Sequence, residues 1–457
     1  MRGQMSNINI VNVDFADVES TQMSFSESNR LRKRAHQIIP GGCHTYAKGD
    51  DQYPENSPGF ICRGEGCHVM DVDGNEFIEY GMGLRSVTLG HGNKRVANAA
   101  HEAALQGINF LRPSPLELQL AEEMLSLLPH GDMIKFGKNG SDVTSAAIKL
   151  ARAYTGRDKV AVPSNQPFFS VDDWFIGTTP MDAGIPDQVR NLSVHFTYND
   201  IESVQSLFDR YPGEIACLIM EPAKYEDPED SFLHKTKEIC HNNGALFILD
   251  EIITGFRWHL NGAQQYYDIE ADLSTFGKAM GNGFPISALI GKEEYMKAGG
   301  IHHDEERVFL LSQTYGAETG SLAAAIETIN IYREENVVDY LWDIGRQLKG
   351  GLSDIISDLG LEGYFTLSGH PCCMVYGTNN RNCRPSQRFR TLFLQETIKQ
   401  GLLMPSLIVS YAHTEEDIAF TLRGIRKALS VYRKALEEGV HQYLAGPSVK
   451  PVFRKFS

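Results

Sequence analysis

Three side chains stand out for type and order. Glu221 ends the apolar run ACLIMEP, Asp250 lies at the end of ALFILDE, and Lys278 follows in STFGKAMGNGFP. The gaps are 29 and 28 residues, each the size of one strand–helix unit. In a parallel sheet the strand C-termini converge on one edge, where ligands bind. Two carboxylates and a lysine would therefore meet there. A lysine whose pKa is lowered by desolvation and a neighbouring cation forms Schiff bases with carbonyl groups. A buried aspartate can keep a pyridinium nitrogen protonated by opposite-charge pairing. Gly277, Gly281 and Gly283 would let a bulky ring approach the backbone. Taken singly, an Asp-Glu pair at a strand end is a surface turn, and a lysine before a Gly-rich turn is solvated. Order, spacing and strand context carry the reading.

A second element is KNGSDVTSAAIKLAR. Asn139, Gly140 and Ser141 precede an alanine-rich helix. Ser141 can cap it, and the free N–H groups of its first turn form an anion site. Taken by itself this is an ordinary N-cap; next to the lysine and aspartate it becomes a seat for a cofactor phosphate. A ring that carries a phosphate, a pyridine nitrogen and a lysine-reactive aldehyde is pyridoxal 5′-phosphate (PLP), the electron sink for carbanions at an amino-acid α-carbon.

These elements need a scaffold. From about residue 95 to 330 helical patterns, HEAALQGINF, LELQLAEEMLSLL and SDVTSAAIKLARAY, alternate with short apolar runs of the kind buried on both faces of a parallel sheet. Before that stretch, a helix is expected from Ser28 to Ile39, stopped by Pro40-Gly41-Gly42, and short antiparallel strands from Phe60 to Tyr80 with a hairpin signal at Asp73-Gly74. The first ~25 residues read as an arm. After 330 come a helix from Val337 to Leu359, strands around Cys373 to Tyr376 and a last helix from Glu415 to Leu436. The expected division is 1–95, an arm and part of a small domain; 96–330, a large cofactor-binding domain; and 331–457, the rest of the small domain.

Composition narrows the partners. The chain has 457 residues, 42% of them hydrophobic, and a formal net charge of −15. So acidic a chain is repelled by polyphosphate backbones, which argues against nucleic acid. Eight cysteines without a CxxC pair read as free thiols of a reducing cytoplasm, with no metal site. There is no signal-peptide pattern and no run of membrane-spanning length.

The set NGSDVTSAAIKLARAYTGRDK, LDEIITGFR, FGKAMGNGFP and AHTEEDI resembles the class III aminotransferases, PLP enzymes of fold type I, and within them the glutamate-1-semialdehyde 2,1-aminomutase-like branch. The resemblance runs from about Ile39 to Val431. It implies an α/β large domain with a mainly parallel central sheet and a smaller α+β domain from both termini. It implies Lys278 as Schiff-base residue and proton shuttle, Asp250 on the pyridine nitrogen, and Asn139, Gly140 and Ser141 around the phosphate. Thr314 matches a position that reaches the phosphate from a neighbouring subunit, so a homodimer with shared sites is implied. Glu221 would position the cofactor, and Phe168, with Phe169 second, would stack on its ring.

Three departures fall where the family holds its substrate. Lys48 stands where the aminomutase has an arginine. Leu84 and Arg85 stand in the region of its tryptophan. The segment PSLIVSYAHT is shortened and lacks an acid. His44, Lys48 and Arg85 are candidate contacts to an anionic or polyhydroxylated substrate. The expected activity is transfer from an amino-acid donor to an aldehyde or ketone. The alternatives are an aminomutase or racemase, a decarboxylase of α,α-disubstituted amino acids, and a scaffold that only binds PLP.

Overall fold

The computed structural model describes residues 23–165 and 168–456. The arm expected over the first ~25 residues lies almost wholly outside them. In chain order the first strands are β1 (Ile61–Glu65), β2 (His68–Asp71) and β3 (Glu76–Glu79). Next come β4 (Met133–Gly137), β5 (Lys159–Pro163), β6 (Ser193–Phe196), β7 (Ile215–Met220), β8 (Leu246–Asp250), β9 (Leu273–Phe276) and β10 (Ser287–Gly291). The last are β11 (Phe365–Ser368), β12 (Val375–Thr378) and β13 (Leu402–Leu403).

The central sheet has the order β4-β10-β9-β8-β7-β5-β6. β10 pairs antiparallel with both β4 and β9, and the remaining pairs are parallel. β10 alone thus runs against the other six. This is the mainly parallel central α/β sheet that the resemblance implies. Every residue of β7, β8, β9 and β10 is buried. Their alternate residues feed two cores, as the strand period requires. Cys217, Ile219 and Ile248 pack under the helix Gly140–Thr155, whose Ala146, Ala147 and Ala151 allow close approach. Leu218, Met220, Phe247 and Leu249 pack on the other face, under the helices Ile201–Arg210 and Phe232–Asn242. Each fully buried Leu or Ile contributes about 1.5–3 kcal/mol.

A four-stranded sheet, β1-β2-β3-β13, joins the start of the chain to its end. The hairpin at Asp73-Gly74 forms as read. The run HEAALQGINF is only partly helical, because the helix Lys94–Leu105 stops before Gly107, whose φ is +120°. The last helix, Glu415–Glu438, starts at a capping box of Thr414 and Asp417. There Asp417 also bonds His68 at 3.1 Å and Cys67 at 3.4 Å, which fastens β2 to the helix.

Arg257 is fully buried and links three regions. Its Nη1 donates to Cys372 O at 2.8 Å and Val409 O at 3.1 Å, and its Nη2 to Thr88 Oγ1 at 3.0 Å. All eight cysteines are free thiols. Among the described residues no helix is long and apolar enough to cross a membrane.

Candidate active site

The C-terminal edge of the central sheet collects the residues singled out by spacing. Asn139 follows β4, Lys278 follows β9, Asp250 ends β8, Glu221 follows β7 and Phe168 lies past β5. In the sheet order these five strands are separated only by the reversed β10, whose first residue, Ser287, reaches the same edge and donates to Asn139 O at 2.8 Å.

Asp250 is buried. Its Oδ1 accepts from Ile252 N at 3.0 Å and from Thr275 Oγ1 at 2.9 Å. Oδ2 takes neither bond. Thr275 faces Asp250 across the β8–β9 register, so the sheet itself aims the carboxylate. Burial, and then the Glu221 carboxylate, pushes Asp250 up to about 7. Lys278 lies across the same edge at φ +44°, a left-handed conformation held by the Gly-rich turn around it. Burial first, then the Arg85 charge, brings its ammonium down to about 8. Lys224 adds to this, while Glu221 and Asp250 oppose it.

Glu221 is buried, and its Oε2 lies 3.3 Å from Lys224 Nζ. The neighbouring Glu251 has another task. It accepts from Ala263 N at 2.6 Å, Gln264 N at 3.0 Å, Gln264 Nε2 at 3.1 Å and Thr254 Oγ1 at 3.1 Å, which fixes the helix Gly262–Tyr266.

The helix Gly140–Thr155 begins at a capping box in which Asn139 Oδ1 accepts from Asp142 N at 3.2 Å and Asp142 Oδ2 from Asn139 N at 3.1 Å. Neither bond uses the N–H of Gly140 or Ser141. A Cβ on Gly140 would stand 2.6 Å from Ile252 Cδ1, so this helix start comes close against the strand end that bears Asp250. Ser141 Oγ accepts from Val171 N at 3.0 Å. Phe169 is buried and its carbonyl accepts from Thr144 Oγ1 at 3.0 Å. Phe168 is 48% exposed and meets Phe175 edge-on, so of the pair it alone presents its ring outward.

The candidate substrate contacts divide. Arg85 is brought to the site by a turn, Met82–Arg85, in which all four residues have positive φ: 41°, 57°, 58° and 74°. Burial works against its charge, while the side chains of Cys373, Tyr225 and Glu221 favour it. Lys48 lines an adjoining cavity of about 380 Å³ together with Gly83 and Leu84. His44 is exposed and lies outside that lining. Thr314 is exposed too, on the turn before the helix Thr319–Glu334.

The family model for class III aminotransferases matches residues 50–361. The chain belongs to the class III aminotransferases. The chain is 33% identical, over 89% of its length and 100% of the other's, to a glutamate-1-semialdehyde 2,1-aminomutase of Natronomonas pharaonis. It is 30% identical, over 91% of its length and 99% of the other's, to a 3-aminobutyryl-CoA aminotransferase of Cloacimonas acidaminovorans. Its fold is similar, with a TM-score of 0.82 and 29% identity over 90% and 97% of the two chains, to the FumI protein of Sphingopyxis sp. MTA144 in its PLP internal aldimine form. As a class III aminotransferase the chain is a PLP enzyme.

The residues of this class III aminotransferase fit that cofactor. Asp250 is held through one oxygen with the other left over, the helix start has N–H groups its cap does not use, and Lys278 has its charge disfavoured. The sequence reading missed Lys224, Tyr225 and Cys373, which gather around Arg85 and Glu221. Lys224 sits in EPAKY without a periodicity to mark it, and Cys373 read only as a thiol.

Proposed function

We propose that this class III aminotransferase moves an amino group from an amino-acid donor to an aldehyde or ketone, with Lys278 and Asp250 as its catalytic residues. The observation that carries the reading is the pairing, at one sheet edge, of a lysine brought down to about 8 with an aspartate whose Oδ1 is fixed by two donors. Bound PLP supplies an electron sink for the carbanion at the donor's α-carbon. Lys278 holds the cofactor and, once displaced by the donor, moves the α-proton with its neutral amine. Asp250 keeps the pyridine nitrogen protonated. Asn139, Gly140 and Ser141 seat the phosphate, Phe168 covers the ring and Glu221 positions it. Arg85 and Lys48 contact the substrate, with His44 the outermost candidate.

The molecule acts, on this reading, as a homodimer in which Thr314 completes the partner's phosphate seat. Exposed Leu105, Ile108, Phe110, Leu111 and Tyr315 support it. Thr319 binds the two segments together through Ile108 O at 2.9 Å and Gly107 O at 2.8 Å. Free thiols and an acidic charge fit a cytoplasmic protein. The division at residues 95 and 330 is part of the proposal, supported by a central sheet that lies between 133 and 291.

The relatives' names favour a second reading, a 2,1-aminomutase. Lys48, Leu84 and Arg85 in the substrate region favour transfer. The test is to add L-glutamate, without acceptor, to the PLP-loaded enzyme. Loss of the cofactor's visible band with one 2-oxoglutarate per site establishes transfer. If glutamate, alanine and other amines yield no oxo product while glutamate-1-semialdehyde is isomerised, the aminomutase reading replaces it.

A further inference from the structure

We propose that Cys67, His68 and Asp417 form a binding site for a zinc ion that clamps the β1–β2 hairpin to the last helix. The site belongs to the four-stranded sheet, not to the cofactor edge of the central one, and it stands or falls apart from the amino-transfer reading.

The three side chains reach one point from opposite ends of the chain. Glu65 pairs with His68 across β1 and β2, so Gly66 and Cys67 form a two-residue loop, with Gly66 at φ +58°. Successive side chains of a strand point to opposite faces, and leaving the strand at this loop frees Cys67 to reach the same residue as His68. That residue is Asp417, in the first turn of the helix Glu415–Glu438. Each of the three offers one ligand atom, and these atoms lie within 4.8 Å of one another. Sulfur, imidazole nitrogen and carboxylate oxygen bind zinc at about 2.0–2.3 Å, so at tetrahedral angles the ligand atoms stand about 3.3–3.6 Å apart. The separations here are 3.1 Å from Nε2 to Oδ1 and 3.4 Å from Sγ to Oδ2.

Proton accounting points to a cation. His68 Nε2 faces Asp417 Oδ1, and its Nδ1 faces Glu76 Oε1 at 2.8 Å. Ionised carboxylates only accept, so both ring nitrogens donate and the imidazole is charged. Cys67 Sγ donates to Asp417 Oδ2. Two protons, one on nitrogen and one on sulfur, thus converge on one carboxylate. A zinc ion replaces them: the Nε2 and Sγ protons leave to solvent, Zn–N and Zn–S bonds form, and the net charge of the cluster is unchanged. Glu76 then holds the Nδ1–H, as carboxylates behind zinc-bound histidines do. Asp417 Oδ2 keeps the helix cap, accepting from Thr414 N at 2.9 Å, and Oδ1 is the metal's. His68, Glu76 and Asp417 line a cavity of about 1430 Å³, which gives an entry path and room for water at the fourth position. The sequence reading expected no metal site, because His68 and Asp417 stand 349 residues apart and no ligand spacing links them.

The experiment titrates the full-length PLP-loaded enzyme, first freed of metal by a chelator, with zinc and with cobalt(II) as its spectroscopic stand-in. The parent is expected to bind one zinc per chain at micromolar concentration and to release two protons in doing so. With cobalt it shows sulfur-to-metal charge transfer and the intense bands of a tetrahedral ion, read at the red end of the visible beyond the cofactor's absorption. Cys67→Ser loses the charge transfer. His68→Gln weakens zinc binding at least about tenfold, and Glu76→Gln about tenfold with the cobalt spectrum kept. Zinc raises the unfolding midpoint of the parent and not that of Cys67→Ser. Metal-free midpoints within a few degrees keep the variants comparable; where a variant unfolds, the parent's proton release and cobalt spectrum decide alone. No zinc bound by the parent at micromolar concentration, or zinc affinity and cobalt spectrum unchanged in both Cys67→Ser and His68→Gln, overturns the site.

Discussion

At the scale of the residue, Lys278 and Asp250 are displaced from their ordinary pKa values in opposite directions, down to about 8 and up to about 7. Each shift has burial as its largest cause, and each disfavours the charged form. Capture of free PLP requires the neutral amine, so its rate in the apo-protein rises with pH and levels off above a midpoint near 8. Replacing Arg85 by Met removes a neighbouring cation, makes the ammonium easier to keep and moves that midpoint upward; stopped-flow absorbance across pH reads it directly. Asp250→Asn withdraws one to three units of support for the pyridine nitrogen, and so lowers the half-reaction rate with a good donor by roughly 10- to 1,000-fold. Lys278 and Asp250 were legible because strand-end position and spacing are written in linear order. Arg85 came from a departure within a family pattern. Lys224 was not legible, since its meaning lies in a contact across the sheet edge. Glu251, adjacent to Asp250, is instead committed to four hydrogen bonds, which no sequence period encodes.

Elements were read better than their ends. The apolar runs became β7 and β8 because continuous burial on two faces leaves a distinctive pattern. The helix ending at Leu105 was overextended because Gly107 stops it through backbone conformation, not polarity. The turn Met82–Arg85 was invisible, as four consecutive left-handed residues have no hydrophobic period. A left-handed conformation costs about 1–2 kcal/mol for a residue with a Cβ. Gly83→Ala adds that cost and a clash with Val87. The expected outcome is a lower unfolding midpoint and a raised KM for carboxylate-bearing donors, measured by calorimetry and initial rates.

For the whole molecule, the apolar face around Leu111 and Tyr315 predicts a self-associating surface. Leu111→Asp is expected to shift the sedimenting species from dimer to monomer and to weaken PLP retention, as Thr314 would no longer reach the second site. Arg257→Met leaves Cys372 O, Val409 O and Thr88 Oγ1 without their donor and is expected to cost about 3 kcal/mol or more in chemical denaturation. That arginine also sets a timetable. A chain leaving the ribosome exposes Thr88 early and Arg257 midway, but the acceptor at Val409 emerges 152 residues after the arginine. Until then the guanidinium lacks one of its three acceptors, so the buried junction it ties together is completed only once the C-terminal part of the chain has been made.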